Sequence, residues 1–125
     1  MTSEAQQLAD RYIAAWTEVD ASERRKAIAN LWIENGKHYV GTREVRGYKA
    51  LEKRVIESHE KWVRDHGNRF RARDAHALHD SITFYWDMLP AEGEAVLAIG
   101  LEFLLLNEQG RIVADYQYVV KPPTA

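Results

Sequence analysis

The feature that most constrains this chain is a change of hydrophobic period. Up to about residue 68 apolar residues recur every three to four positions, and from there to the end they alternate or run in short blocks. A chain of this kind must pack a set of helices against a set of strands. Its 125 residues are enough for one domain with a core of its own, read here as residues 1–125.

The helical part divides at recognisable caps. Ser3 with Gln6 has the form of a capping box, followed by the stripe Leu8, Tyr12, Ala15, Trp16 and Val19, which predicts a helix over about 4–18. Asp20 with Glu23 marks a second start. Ala27, Ile28, Leu31 and Trp32 then share one face, and Gly36 is the expected stop. "KHYVG" reads as a short strand or extended link. Gly47 precedes a longer helix carrying Tyr48, Leu51, Val55, His59 and Trp62, closing near "HGN". Four strand candidates follow: "RFRARDAHALH", "SITFYWDML", "AVLAIGLEFLLL" and "RIVADYQYVV". "PAEG" and "NEQG" supply turn chemistry between them, and "KPPTA" is a tail. Three helices before a run of antiparallel strands is an α+β layout with the helices on one face of a curved sheet. The stretch Ala95–Leu106 is apolar on both faces, so its outer face predicts a homodimer through the sheet.

Composition excludes several function classes. Net charge is −2, which favours neither nucleic acid nor an anionic membrane surface. There is no cysteine, hence no disulfide, thiolate nucleophile or thiolate metal site. The N-terminus lacks the pattern of a signal peptide and no run is long enough to span a membrane, so a cytoplasmic protein is expected. No glycine-rich phosphate loop or nucleophile elbow is present, and no motif demands a cofactor. "HALHD" offers His76, His79 and Asp80, but a strand sends the two histidines to opposite faces, and no metal site is expected. His59, on the apolar face of the third helix, reads as a core or rim residue.

The carboxylates inside the last hairpin, Glu102 and Asp115, pose the functional question. Hydrophobicity alone turns Leu97, Ile99, Leu101, Phe103 and Leu105 inward and Glu102 to water. The opposite phase puts Glu102 in a cavity, where desolvation would raise its pKa. Asp115 shares a strand face with Val113, Gln117 and Val119, either solvated or as the polar lining of a pocket. The four tryptophans suit a core, or the walls of a site for a flat or cyclic apolar molecule.

The order of helix, "LWIE" helix end, "G..AL" helix and strands ending in "GRI" resembles the SnoaL-like branch of the nuclear transport factor 2-like superfamily. "RYIAAWTEVD" is similar to the first helix of the bacterial ketosteroid isomerases in that superfamily, and the likeness runs from about Leu8 to Val120. It implies a cone-shaped, curved mixed sheet wrapped around the N-terminal helices, a deep pocket and dimerisation through the sheet. It places Tyr12 where those isomerases carry a carbonyl-polarising tyrosine. Glu102, eight residues before Gly110, falls where they carry a protonated Asp. Their base position falls on Val40, with His38 the nearest substitute. The acid/base position of the SnoaL-type cyclases falls on Gln117, two residues after Asp115. The implied phase turns Glu102, Asp115 and Gln117 inward together with Phe84, Trp86 and Met88.

The expected chemistry is therefore acid/base catalysis, of isomerase, cyclase or dehydratase type, on a small carbonyl or cyclic compound. Tyr12, Glu102, Asp115 and His38 are the candidate catalytic residues. Trp16, Trp32, Val40, Phe84, Trp86, Met88, Gln117 and Val119 are the candidate lining. The alternatives are a binding or sensing module using the same pocket, or an interaction role for the exposed sheet.

Overall fold

A computed structural model describes residues 3–123, which fold as three helices and six strands. Helix α1 spans Glu4–Thr17 and α2 spans Ala21–Leu31. Both begin at the expected caps: Ser3 Oγ accepts from the Gln6 N–H at 3.1 Å, and Asp20 Oδ2 from the Glu23 N–H at 2.8 Å. Strands β1 (Trp32–Val40) and β2 (Arg43–Arg46) precede α3 (Tyr48–Ser58). That helix runs on into a π-helical segment, His59–Arg64. Strands β3 (Arg69–Leu78), β4 (Ser81–Leu89), β5 (Ala98–Leu106) and β6 (Ile112–Lys121) complete the chain.

The six strands form one open mixed sheet in the order β2-β1-β6-β5-β4-β3. β1 lies parallel to β6, and every other neighbouring pair is antiparallel. The helices cover one face. Leu8, Tyr12 and Ala15 of α1, Ile28 and Leu31 of α2, and Leu51 and Val55 of α3 enter a core with Phe84, Leu104 and Ile112 of the sheet. This is the α+β layout that the change of period predicts. Among the described residues no helix is long and apolar enough to cross a membrane.

Three differences from the sequence reading shape the site. First, α2 stops five residues before Gly36. Trp32 has extended backbone (φ −102°, ψ 153°) and opens β1, and its buried side chain lies where a Gly36 Cβ would stand, 2.7 Å away. Gly36 makes room for a tryptophan rather than ending a helix, and the link "KHYVG" belongs to a nine-residue strand. The short β2 had no pattern to betray it, since Val45 is its one buried residue.

Second, β6 carries a bulge. Leu106 pairs with Ile112 but Leu105 pairs with Ala114, leaving Val113 as the extra residue. Ile112 and Asp115 therefore both face inward and Val113 does not share their face. Strict alternation from Val113 placed Asp115 on the right face and Ile112 on the wrong one. Third, β5 starts at Ala98 rather than Ala95. Of the tail "KPPTA", Lys121 ends β6, while Thr124 and Ala125 lie outside the described residues.

Candidate functional site

The inner face of β5 fixes the site. Cα pairing sets Glu102 opposite Phe84 on one side and Gln117 on the other, with Leu104 opposite Asp115 and Gly100 opposite Trp86 and Val119. Residues paired in this way share a sheet face, so two acids and an amide converge under α1. Tyr12, two turns along the buried stripe of α1, reaches down to them. Its hydroxyl lies 2.5 Å from Asp115 Oδ2 and 3.3 Å from Glu102 Oε2. On the neighbouring parallel strand His38 pairs in register with Asp115, and its Nδ1 lies 2.8 Å from the same Oδ2. Trp86 Nε1–H donates to Glu102 Oε1 at 2.9 Å. Glu102, Asp115 and His38 have no exposed surface, and Tyr12 retains 2%.

Gly100 makes the indole contact possible. A Cβ there would lie 2.1 Å from two Trp86 ring carbons, so the ring lies flat across the bare backbone of β5. Trp86 then reaches Glu102, two residues further along the strand. Tyr12 is boxed by aromatic rings, with centroids of Trp16, Trp32 and Phe84 at 5.8, 5.6 and 5.3 Å.

Burial and mutual charge divide the two acids. Desolvation, reinforced by repulsion from Asp115, pushes the Glu102 carboxyl well above the usual carboxylate range. Desolvation pushes Asp115 up as well. Attraction to His38 and hydrogen bonds from Glu102, His38 and Tyr12 outweigh it, and hold Asp115 below its ordinary value. The pair therefore shares one proton, which resides on Glu102, and Asp115 carries the charge. Tyr12 is pushed well above the ordinary phenol value by burial and then by the two carboxyls, so its hydroxyl stays protonated. The resulting network runs from His38 and Tyr12 as donors to an Asp115 acceptor, with neutral Glu102 as a third donor.

Above this floor opens a cavity of about 240 Å³. Tyr12 and Glu102 supply its polar base, and Trp16, Val40, Trp86, Met88, Gln117 and Val119 are among its walls. Trp16 Nε1 is buried without a partner among the described residues, which leaves it free to donate to a ligand.

Two of the expected lining residues stand elsewhere: Trp32 and Phe84 are core, fully buried behind Tyr12. Asp115 and His38 also lie behind the cavity wall and reach it only through Tyr12 and Glu102. Trp62, one of the four tryptophans suited to such a wall, joins it, and Ile13, Arg54, Ser58, Phe70 and Pro123, which were not legible in the sequence, complete it. Arg54 and Ser58 lie one turn apart on α3, and Trp62 lies on the π-helical segment. A widened helical turn moves side chains off the 3.6 period that a sequence pattern assumes.

Ligating atoms of His38, Glu102 and Asp115 lie within 4.8 Å of one another, a grouping spread over three strands and absent from the local pattern "HALHD". His76 is exposed on β3 beside a bulge, and His79 turns the β3–β4 corner at φ 52°. In the buried trio the hydrogen bonds from His38 Nδ1 and Tyr12 both fall on Asp115 Oδ2, whereas Asp115 Oδ1 and His38 Nε2 are buried with no partner among the described residues.

No family model matches the sequence, and neither does any curated protein. Solved structures do. A candidate isomerase of the SnoaL-like family from Agrobacterium tumefaciens is similar with a TM-score of 0.83 and 23% identity, over 94% of this chain and 98% of that one. A candidate ketosteroid isomerase from Kribbella flavida is similar at 0.66 and 12%, over 97% and 83%. A candidate SnoaL-like polyketide cyclase from Jannaschia is similar at 0.63 and 10%, over 96% and 90%. The chain has the fold of the SnoaL-like, nuclear transport factor 2-like proteins, as the resemblance implied.

Proposed function

We propose that the protein is an acid/base enzyme acting on a small, mostly apolar carbonyl compound held in the cavity. The observation that supports this most directly is a neutral carboxyl, Glu102, facing an apolar cavity beside a tyrosine hydroxyl, with an ionised carboxylate directly behind both. Glu102 gives its proton to the ligand oxygen as negative charge develops there. The resemblance to the isomerases puts their base position on Val40, so in this reading the ligand proton leaves by another route. Tyr12 takes it on its oxygen while passing its own proton over 2.5 Å to Asp115. The raised pKa of Tyr12 favours such a relay over a free tyrosinate. His38 holds Asp115 in place and stabilises its charge. Reversal of these transfers restores the resting state. Isomerisation of a ketone uses this proton traffic, in keeping with the isomerase names of two proteins of similar fold.

The test is solvent deuterium exchange: incubation with a panel of small cyclic ketones in D2O, with NMR following loss of the α-protons. Tyr12→Phe, Glu102→Gln and Asp115→Asn should each slow exchange by about 10²–10⁴-fold, the usual contribution of a positioned acid or base. Unchanged rates in all three variants would overturn the reading. A ketone that binds without exchanging above the buffer rate would instead identify a binding module, a reading favoured by the apolar Val40 at the base position.

A homodimer through the outer face of the sheet is part of the proposal. Ile99, Leu101, Phe103 and Leu105 of β5 lie there beside Tyr116 (39% exposed), Tyr118 (57%) and Val120 (53%) of β6. Tyr39, Tyr116 and Phe103 form a ladder of ring contacts across three strands. A contiguous apolar and aromatic face of this kind on a small domain calls for a partner, and a second copy offers the same face.

A further inference from the structure

We infer that the molecule taken up by this cavity carries a single carboxylate and that Arg54 binds it. Of the residues lining the cavity, Arg54 is the one base and Glu102 the one carboxylic acid. Glu102 is held protonated by the floor network, so Arg54 faces no compensating anion inside. Among the described residues Arg54 makes no hydrogen bond or ion pair, and its Nε is buried without a partner. Both acids on its own helix are engaged elsewhere, Glu57 by Arg43 at 3.2 Å and Glu52 by Arg25 at 3.8 Å. Its guanidinium lies over the Trp16 ring, 5.0 Å from the centroid, which fixes the plane of the fork and leaves its N–H edge available. Desolvation, joined by repulsion from Arg43, lowers the Arg54 pKa and outweighs the opposing pull of Tyr12, Glu102 and Glu57.

A half-buried cation left unpaired is costly unless a ligand completes it. A planar guanidinium fork matches a carboxylate in two parallel hydrogen bonds. Ser58, one turn further along α3, places a hydroxyl on the same wall. One arginine, with no glycine loop, balances one negative charge rather than the two of a phosphate monoester. Apart from the Gln117 amide and the Trp16 N–H the remaining walls are apolar, and about 240 Å³ is below the range of drug-sized sites, so the body of the ligand is one small ring or a short branched chain. The ligand class is a small cyclic or branched keto acid. Its carboxylate lies at Arg54 and, on the acid/base reading above, its reacting oxygen lies at Tyr12 and Glu102.

The experiment compares 4-oxocyclohexanecarboxylate with its methyl ester, with binding read from the fluorescence of the tryptophans in the cavity wall. The wild-type chain should bind the acid at least about tenfold more tightly than the ester. Arg54→Gln should abolish that preference while still binding the ester, and Arg54→Lys should keep part of it. A urea midpoint for each variant separates loss of binding from loss of fold. Equal affinity for acid and ester, failure of the wild-type chain to bind the acid at millimolar concentration, or unchanged acid binding by Arg54→Gln would overturn the inference. Competition by inorganic phosphate as strong as by the acid would also overturn it, since it would mark a general anion site. The two proposals fail separately. If the acid preference follows Arg54 but no α-proton exchanges, the carboxylate anchor stands and the enzyme reading falls. If cyclohexanone exchanges as fast as the keto acid, the enzyme reading stands and the anchor falls.

Discussion

Two acids placed side by side under one tyrosine define this site, and their division of labour follows from their partners. Asp115 has an imidazole and a phenol aimed at one oxygen, while Glu102 has an indole N–H and the repulsion of Asp115. Removing His38 should expose how much Asp115 depends on it. His38→Ala leaves a fully buried carboxylate without its imidazole, and loss of one partner of a buried pair costs about 3–5 kcal/mol. Urea unfolding should show that loss, and the double variant His38→Ala/Asp115→Asn should recover part of it, because the buried charge is gone. A loss below about 1 kcal/mol would place the His38–Asp115 contact in the range of exposed ion pairs. Glu102 was only half legible in the sequence. Pattern alone favoured sending it to water, because β5 is apolar on both faces and its outer row is the greasier. The count to Gly110 and the likeness around Tyr12 pointed inward. His38 was harder, since its burial depends on a parallel pairing with β6 that no local pattern reports.

At the scale of elements, the site is held by small local devices. Gly100 lets Trp86 cross β5, so Gly100→Ala must push an indole body rather than a flexible chain end. Overpacking of this kind typically costs about 1–3 kcal/mol. The same change should break the Trp86–Glu102 hydrogen bond, read as a shift of the indole N–H resonance by NMR. An unmoved resonance would mean that the ring does not lie over Gly100. The α2 cap should behave independently. Asp20→Ala should lower stability by about 1 kcal/mol without altering the cavity, measured by urea unfolding. Caps and strand spans were legible because they are written in consecutive residues. The bulge at Val113, the π-helical turn after Ser58 and the early end of α2 were not. Each is a response to packing: Ile112 and Asp115 both turned inward, Trp62 brought to the cavity wall, and Trp32 buried beside Gly36.

For the molecule as a whole, the outer sheet face and the shared proton make separate claims. If the apolar face of β5 and β6 joins two copies, Phe103→Glu should convert a dimer to a monomer in sedimentation, with the helical content unchanged. A wild-type monomer at all concentrations would refute the dimer. Stability should also carry the signature of the acid pair. Glu102 has a raised folded pKa, so its contribution is complete below the unfolded value of about 4.3 and is lost as pH rises through the folded value. Asp115 has a lowered one, so its contribution is present above about 3.9 and is lost as pH falls. Between about pH 5 and 9 the Asp115 contribution is constant. Across that window the stability of Glu102→Gln relative to the wild type should therefore rise. The fold was legible from the change of period and the family likeness, whereas the cavity wall on α3 was not, because it is made by the packing of α3 over the sheet. The most direct test of the central claim is a carboxyl ¹³C NMR titration of the wild-type chain with the Glu102 resonance assigned through Glu102→Gln. Glu102 should stay protonated well above about pH 4.3 while Asp115 is already ionised there. A Glu102 resonance titrating near 4.3 with the exposed glutamates would contradict it.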